Sequence, residues 1–549
     1  MLSLTLVIGI AIAATILSRL LRVGHRPKNY PPGPPTLPIL GNIHQMPSRD
    51  AHLQFEKWAR EYGPVYSLML GTKCLIVLSS DEAVKELLDK KSGIYSDRQE
   101  MYIGQTLCSG DLRLLMMGYG PKWRGVCTFL RFNKICNVNK SKQFRKMMHG
   151  LLNVTASKKY VPYQMLENKQ MLYQFLEEPD NFLRHIRRYS NALTTTMVFG
   201  WRTPVYEDPK MMQLFDGFSE FAVINQTGTA ALIDFFPGFG SYPMQRKAKE
   251  LHMHEKALYL SHWMRAKQET QENTIKPCFS AGMYEAQKKD GFSDDQAAYL
   301  SGTLLEAGSD TTSSTLYAFV QAMLLFPEVQ RKAHEEIDRI IGPDRLPDMD
   351  DLPKLQYIRS CMKETLRWMP TTILGAVPHA VTQDDVYKGY LIPKGAGVIN
   401  NVWGIGMDPG RHPSPRTFDP DRYREDYQSL GDAAANPDAS KRDAFTFGAG
   451  RRICPGIHVA ERSLFLGMSR ILWAFSIKPA LDEKGLPIVP DPDRLTQGFV
   501  CMPEEFPASI APRSQARADV VVREWKEAEK LLHPETKQWL QPPVETISV

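Results

Sequence analysis

Apolar and polar positions alternate along this chain in two rhythms. QFEKWAREYG, residues 54–63, has helical spacing and stops at Gly63. VYSLMLGTKCLIVLSS, residues 65–80, is two apolar runs around Gly71-Thr72, which predicts a hairpin. Ser80 is then placed to cap a helix over DEAVKELLDKK. A long apolar helix is predicted from Asp294 to Phe326, with Pro327 opening another that runs to Ile341 and closes at Gly342. YKGYLIPKGAGVIN, residues 387–400, predicts a second short hairpin. Strands are few and dispersed, and no strand–helix alternation or repeat is present. The expected fold class is therefore mainly α with a small β portion, in one large domain.

The two ends differ from this body. LSLTLVIGIAIAATILSRLL, residues 2–21, is largely apolar and is followed by Arg22, His25, Arg26 and Lys28. A bilayer core takes about 20 apolar residues, so residues 1–21 predict a transmembrane anchor, favoured over a cleaved signal peptide because no basic residues precede the run. Charge lying after the span puts the following domain on the cytosolic side. YPPGPPTLPILGN, residues 30–42, holds five prolines and completes a basic flank and stiff hinge over 22–42. The expected catalytic body covers 43–513. After it, a charged extension over 514–549, including REWKEAEKLLHPETKQWL, predicts a solvated terminal helix.

Composition narrows the function. Hydrophobic residues at 43% and charged residues at 23% describe a folded globular chain, and 549 residues suffice to enclose a cofactor. A net charge of only +6 gives no ground for a general polyanion-binding role. Eight cysteines without any C-x-x-C spacing exclude a zinc ribbon or a dense disulfide framework.

One cysteine stands apart. In FGAGRRICPG, residues 447–456, Cys454 sits among three glycines and follows Arg451 and Arg452. Glycines let backbone bend closely around a flat ligand, and neighbouring cations favour the thiolate that binds metal. This loop resembles the F-x-x-G-x-R-x-C-x-G signature of the cytochrome P450 family of haem-thiolate monooxygenases. Three further stretches agree in order: AGSDTT at 307–312, KETLR at 363–367 and PRTFDPDRY at 415–423. The resemblance runs from the proline hinge to about Pro512, and it is strongest to fungal secondary-metabolite members.

The resemblance implies a cytochrome P450 fold behind the anchor, in the endoplasmic reticulum membrane. It implies haem iron ligated by Cys454, with Arg452, His379, Trp123 and Arg145 contacting the propionates. Asp310 and Thr311 become the acid–alcohol pair that supplies protons for dioxygen cleavage, and Gly308 is expected to leave room for a small ligand. Glu364, Arg367 and Arg422 form a structural network. Electrons come from NADPH through a cytochrome reductase, docked on Lys441, Arg442 and Arg451. The substrate is a hydrophobic small molecule held by residues 102–115, 304–307, 371–377 and 498–501. Two other readings stay open at this point: an oxygen-independent haem-thiolate isomerase or dehydratase, and a membrane haem-binding protein without turnover.

One stretch does not fit. KWRGVCTFLRFNKICNVNKSKQFRK, residues 122–146, holds eight Lys or Arg and no acid. The family pattern Trp-Arg-x-x-Arg meets Cys127 where its second arginine belongs. Removing residues 125–142 joins Arg124 to Gln143 and restores the pattern, with Arg145 in place. The eighteen residues are a whole number of codons, and Cys127 and Cys136 without a partner histidine make a poor metal site. The hypothesis is that 125–142 is a retained intron, the alternative being a genuine surface insertion. Message sequencing is expected to show a mature transcript lacking it, and the shortened chain is expected to incorporate more haem per mole than the full one. A mature message that keeps all eighteen residues, from active enzyme, removes the idea.

Overall fold

The computed structural model describes residues 21–118, 150–225 and 242–543, with positions 8, 9, 12, 14, 15, 18, 148 and 234. Trp123, Arg145 and the stretch 125–142 lie outside the described residues, as do most of residues 1–20. Among the described residues no helix is long and apolar enough to cross a membrane. The chain from Arg26 onward is docked on the body. The Arg26 guanidinium donates to the Gly33 and Pro34 carbonyls and to both oxygens of Ser67, at 2.8–2.9 Å. The proline segment is therefore strapped to the first strand, where a free-standing spacer was expected.

Helix α1 (Ala51–Tyr62) ends as predicted at Gly63, whose φ of +99° suits glycine. Strands β1 (Val65–Leu70) and β2 (Lys73–Leu78) form the predicted hairpin, with Leu70 opposite Lys73. Ser80 does cap the next helix by accepting the Ala83 N–H, but after Val84 the winding loosens to π-type over Lys85–Lys90. Strand β3 (Asp97–Arg98) pairs with β4 (His379–Ala380), and with a strand β7 over Gly397–Asn400 a five-stranded sheet follows in the order β1-β2-β7-β4-β3. Here 387–400 departs from the single hairpin expected. Positive φ at Lys388 and Gly389 closes β5 (Asp385–Tyr387) on β6 (Tyr390–Ile392). The turn at 393–395 then sends β7 (Gly397–Asn400) alongside β2 instead.

The helical body is built from α2 (Val161–Glu177), α3 (Phe182–Phe199), α4 (Pro209–Ile224) and α5 (Tyr242–Gln271), all around the long α6 (Asp294–Leu325). Ser293 and Gln296 form a capping box at the start of α6. At its other end α7 (Pro327–Ile340) begins on the predicted proline. Helix α8 (Gln356–Trp368) and α9 (Ile457–Ala474) complete the main core, with Leu316, Phe319, Leu366, Phe465 and Leu472 packed between them. Strands β8 (Phe475–Pro479) and β9 (Ala508–Pro512) pair beside it.

The chain beyond Ser514 is no solvated tail. Val521, Trp525, Ala528 and Leu532 recur at helical spacing and are all buried. In α10 (Gln515–Glu529), Trp525 stacks on Tyr173 of α2 with centroids 6.2 Å apart. Further on, Trp539 meets Tyr163 edge-on at 5.3 Å, and the Lys537 carbonyl accepts from Arg202 at 2.8 Å. The high charge count describes only the outer face of this segment.

Candidate haem-thiolate site

The loop before α9 is bent by three positive φ angles, at Ala444 (+56°), Gly448 (+78°) and Gly450 (+56°). The Cys454 N–H donates to the Phe447 carbonyl at 2.8 Å and closes the loop. Gly450 is held by close approach, since an added Cβ would lie 1.9 Å from the Leu88 carbonyl oxygen. Beside it, Asp89 of the π-type segment accepts the Gly450 N–H at 2.7 Å and Arg442 Nε at 2.9 Å. Arg442 is fully buried and also donates to the Gly448 carbonyl at 3.0 Å. It is a strut inside the loop and offers nothing to a docking partner, which corrects the expectation from sequence. Cys454 itself is half-buried, just ahead of the positive end of α9. Gly456 keeps the space next to its sulfur open.

Helix α6 supplies the second half of the site. Leu304, Leu305 and Ser309 are buried, yet Ala307 between them is exposed, so this face borders open space inside the molecule. The Thr311 hydroxyl donates to the Ala307 carbonyl at 2.7 Å. Burial pushes the Asp310 carboxyl up to about 6, against the opposing charge of Arg187. Ser314 Oγ lies 3.5 Å from Asp310 Oδ1 and 3.7 Å from Met502 Sδ. Gly308 serves a different purpose from the one expected. Its missing side chain faces α3, where a Cβ would come within 2.5 Å of Thr194 Oγ1, and its carbonyl accepts from Ser190 at 2.7 Å. It is a helix-crossing glycine and makes no room for ligand.

A cytochrome P450 family model matches residues 31–506, across the whole of this loop-and-helix arrangement. The chain belongs to the cytochrome P450 family. It is 51% identical over 539 residues to the cytochrome P450 monooxygenase virE of Hypocrea virens, covering 97% of this chain and 94% of that one. To the monooxygenase fogE of Aspergillus ruber it is 49% identical, over 95% of this chain and 94% of the relative. To fsoB of Humicola fuscoatra it is 45% identical at the same coverage. The protein is a P450 monooxygenase, and its family's cofactor is haem-thiolate iron fed with electrons by a redox partner, typically from NADPH through a reductase. The isomerase and non-catalytic readings fall away.

The residues present fit that cofactor. Arg452 reaches back to the Ser96 and Met117 carbonyls at 2.9 and 2.7 Å, which brings its guanidinium to the edge of the sheet. There His379 Nδ1 donates to the Tyr95 carbonyl at 2.8 Å. Burial, with Arg98 and Arg452 adding to it, lowers the His379 pKa to about 3. An anion among these three groups would offset both arginine charges and favour the imidazolium. Arg98 is a residue that sequence reasoning missed. It pairs across the sheet with His379 and is anchored on the Val377 and Leu115 carbonyls at 2.6 and 3.1 Å. No local pattern announces it, because its relevance comes from strand register alone.

The P450's Glu–Arg–Arg network is assembled as expected. Glu364 is fully buried, and Arg367 grips both its oxygens at 2.6 and 2.7 Å. Arg422 Nε stands 3.5 Å from Glu364 Oε1, and the Asp419 N–H adds a bond of 2.8 Å. Of the expected substrate ranges, Ile373, Leu374, Phe499 and Cys501 line one cavity of about 160 Å³, together with Met101 and His52.

The role of Gly308 can be checked directly. Gly308→Ala is expected to lower stability by about 1–3 kcal/mol through overpacking against Thr194, read as a drop in thermal midpoint. Thr194→Ala in the same chain is expected to recover part of it. A fully stable Gly308→Ala with altered ligand binding would restore the expectation from sequence.

Proposed function

We propose that this P450 hydroxylates an apolar small molecule of fungal secondary metabolism, with Cys454 as the iron ligand and Asp310 and Thr311 as the proton relay. The observation that carries this reading is the buried Asp310 carboxyl beside Thr311 on the one face of α6 that borders open space. Bound haem supplies dioxygen activation and transfer of one oxygen atom, the other leaving as water at the expense of two protons and two electrons. This chain's residues handle the protons. Burial raises the Asp310 carboxyl towards neutrality, the direction that suits a general acid. The Thr311 hydroxyl, now bonded to the Ala307 carbonyl, has only to rotate about its side chain to be released for proton transfer.

The apolar lining by Ile373, Leu374 and Phe499 supports a hydrophobic substrate. For the reductase, Lys441 and Arg451 remain as exposed cations beside the ligand loop once Arg442 is set aside. We further propose that residues 1–21 anchor the protein in the endoplasmic reticulum membrane with the catalytic body in the cytosol. The support is the apolar run followed by the basic flank.

Cys454→Ser is expected to lose the red-shifted Soret band of the reduced carbon-monoxide complex. Thr311→Ala is expected to keep that band while product formation falls about 100-fold and NADPH electrons go to peroxide. A retained band in the first variant, or unchanged coupling in the second, removes the assigned role. Deleting residues 1–28 is expected to move most of the protein from the microsomal pellet to the supernatant, and a chain that stays fully membrane-bound argues against the anchor.

A further inference from the structure

One turn ahead of Asp310 on α6 stands a second carboxylate, Glu306, that the reading above leaves without a task. It is held from above by Arg113, which lies between the π-type segment Tyr102–Leu107 and the short 3-10 turn Leu114–Met116. Arg113 Nη1 reaches both Glu306 oxygens at 2.5 and 2.6 Å. Its Nη2 donates to Glu255 of α5 at 2.6 Å, and its Nε donates to Ser109 Oγ at 3.0 Å. The guanidinium is buried and lies 4.4 Å over the ring of Phe221 from α4. Tyr259 of α5 donates a hydrogen bond to Glu306, seated where Gly302 leaves the α6 surface flat for its ring. One cation thus joins the loop, α4, α5 and α6 at the level of the relay acid.

We propose that Arg113 is a positioning residue for the monooxygenase reaction: by its double contact it neutralises Glu306, and so sets the charge felt by Asp310. The proposal rests on Asp310 being the relay acid. Residues four apart on a helix lie about 6 Å from each other, close enough for an uncompensated Glu306 anion to oppose ionisation of Asp310. Its influence runs in that direction, raising the Asp310 pKa beyond what burial does. The groups facing Asp310 are few: Glu306 and Ser314 on its own helix, Arg187 on α3, and Cys501 from the returning chain. Those facing Glu306 are Arg113, Tyr259, Glu255 and Tyr299. Arg113 is the cation among them, shared between two carboxylates. Burial, opposed by Arg113 and reinforced by Glu306, raises Glu255 to about 7, while Arg113 makes its double contact with Glu306.

The test is an infrared titration of the full-length holoenzyme, following the protonated-carboxyl band that Asp310→Asn removes. Arg113→Gln is expected to move its midpoint up by about one pH unit, the scale for one charge at that separation in a partly screened interior. Glu306→Gln is expected to move it down, and Arg113→Lys, which keeps the charge, to leave it in place. If Arg113→Gln does not fold, Glu306→Gln alone decides, since its amide oxygen still accepts from Arg113 and Tyr259. A midpoint unmoved in both charge-removing variants overturns the proposal. NADPH-to-peroxide leakage in Asp310→Asn is measured in parallel. Midpoints that shift as expected while leakage matches wild type confirm the charge coupling and overturn Asp310 as the relay, so the two failures are told apart.

Discussion

The carboxylate of Asp89 is the point on which the ligand loop depends. It accepts the Gly450 N–H and Arg442 Nε at once, and Arg442 in turn holds the Gly448 carbonyl. A buried guanidinium is tolerable only with its counter-charge in place, and removing such a partner typically costs about 3–5 kcal/mol. The loop's positive-φ residues, Gly448 and Gly450, take their shape on either side of this pair. The sulfur of Cys454 is thereby positioned from outside the loop, by a segment more than 350 residues earlier in the chain. Asp89 lies within the π-type winding of Lys85–Lys90.

Helix α6 does two jobs with one stretch of sequence. Towards α3 its small residues allow close packing, with Gly308 against Thr194 and Ser309 bonded to Asn191 at 3.1 Å. On the other side Ala307 is exposed, with Asp310 and Thr311 one turn further on. The helix is fixed at both flanks, through Ser190 below and Arg113 above. An ionisable group in such a place is normally costly. Here Glu306 has a cation in direct contact, while burial dominates the surroundings of Asp310, with Arg187 opposing it.

Much of this was legible from the chain. The bounds of α6, the first hairpin, the start of α7 and the cysteine loop follow from periodicity, proline and glycine punctuation, and one dense motif. The buried Glu364–Arg367 pair was visible as i,i+3 spacing, though its burial was not. The misreadings share a cause. Gly308, Arg442 and the segment after Ser514 were judged from neighbours in sequence, while their roles are set by Thr194, Asp89 and Tyr173, far away along the chain; Arg98, set by its register with His379, drew no reading at all. Local charge counts make an arginine look like surface and a tryptophan-bearing helix look like a tail. Arg113 shows the same limit, since nothing near it in sequence announces Glu306.

The segment from Ser514 onward also bears on how the protein is made. Arg202 engages Glu167 and Gln170 early in the chain, but its own N–H is bonded to Gln538 and its Nη1 to the Lys537 carbonyl. Those last partners are translated more than 330 residues later. During synthesis the helices α2 and α3 therefore emerge with a buried charge cluster whose lid does not yet exist. The closed form of this side of the molecule, with Tyr163 against Trp539 and Tyr173 against Trp525, is therefore reached only once α10 and the residues after it are in place.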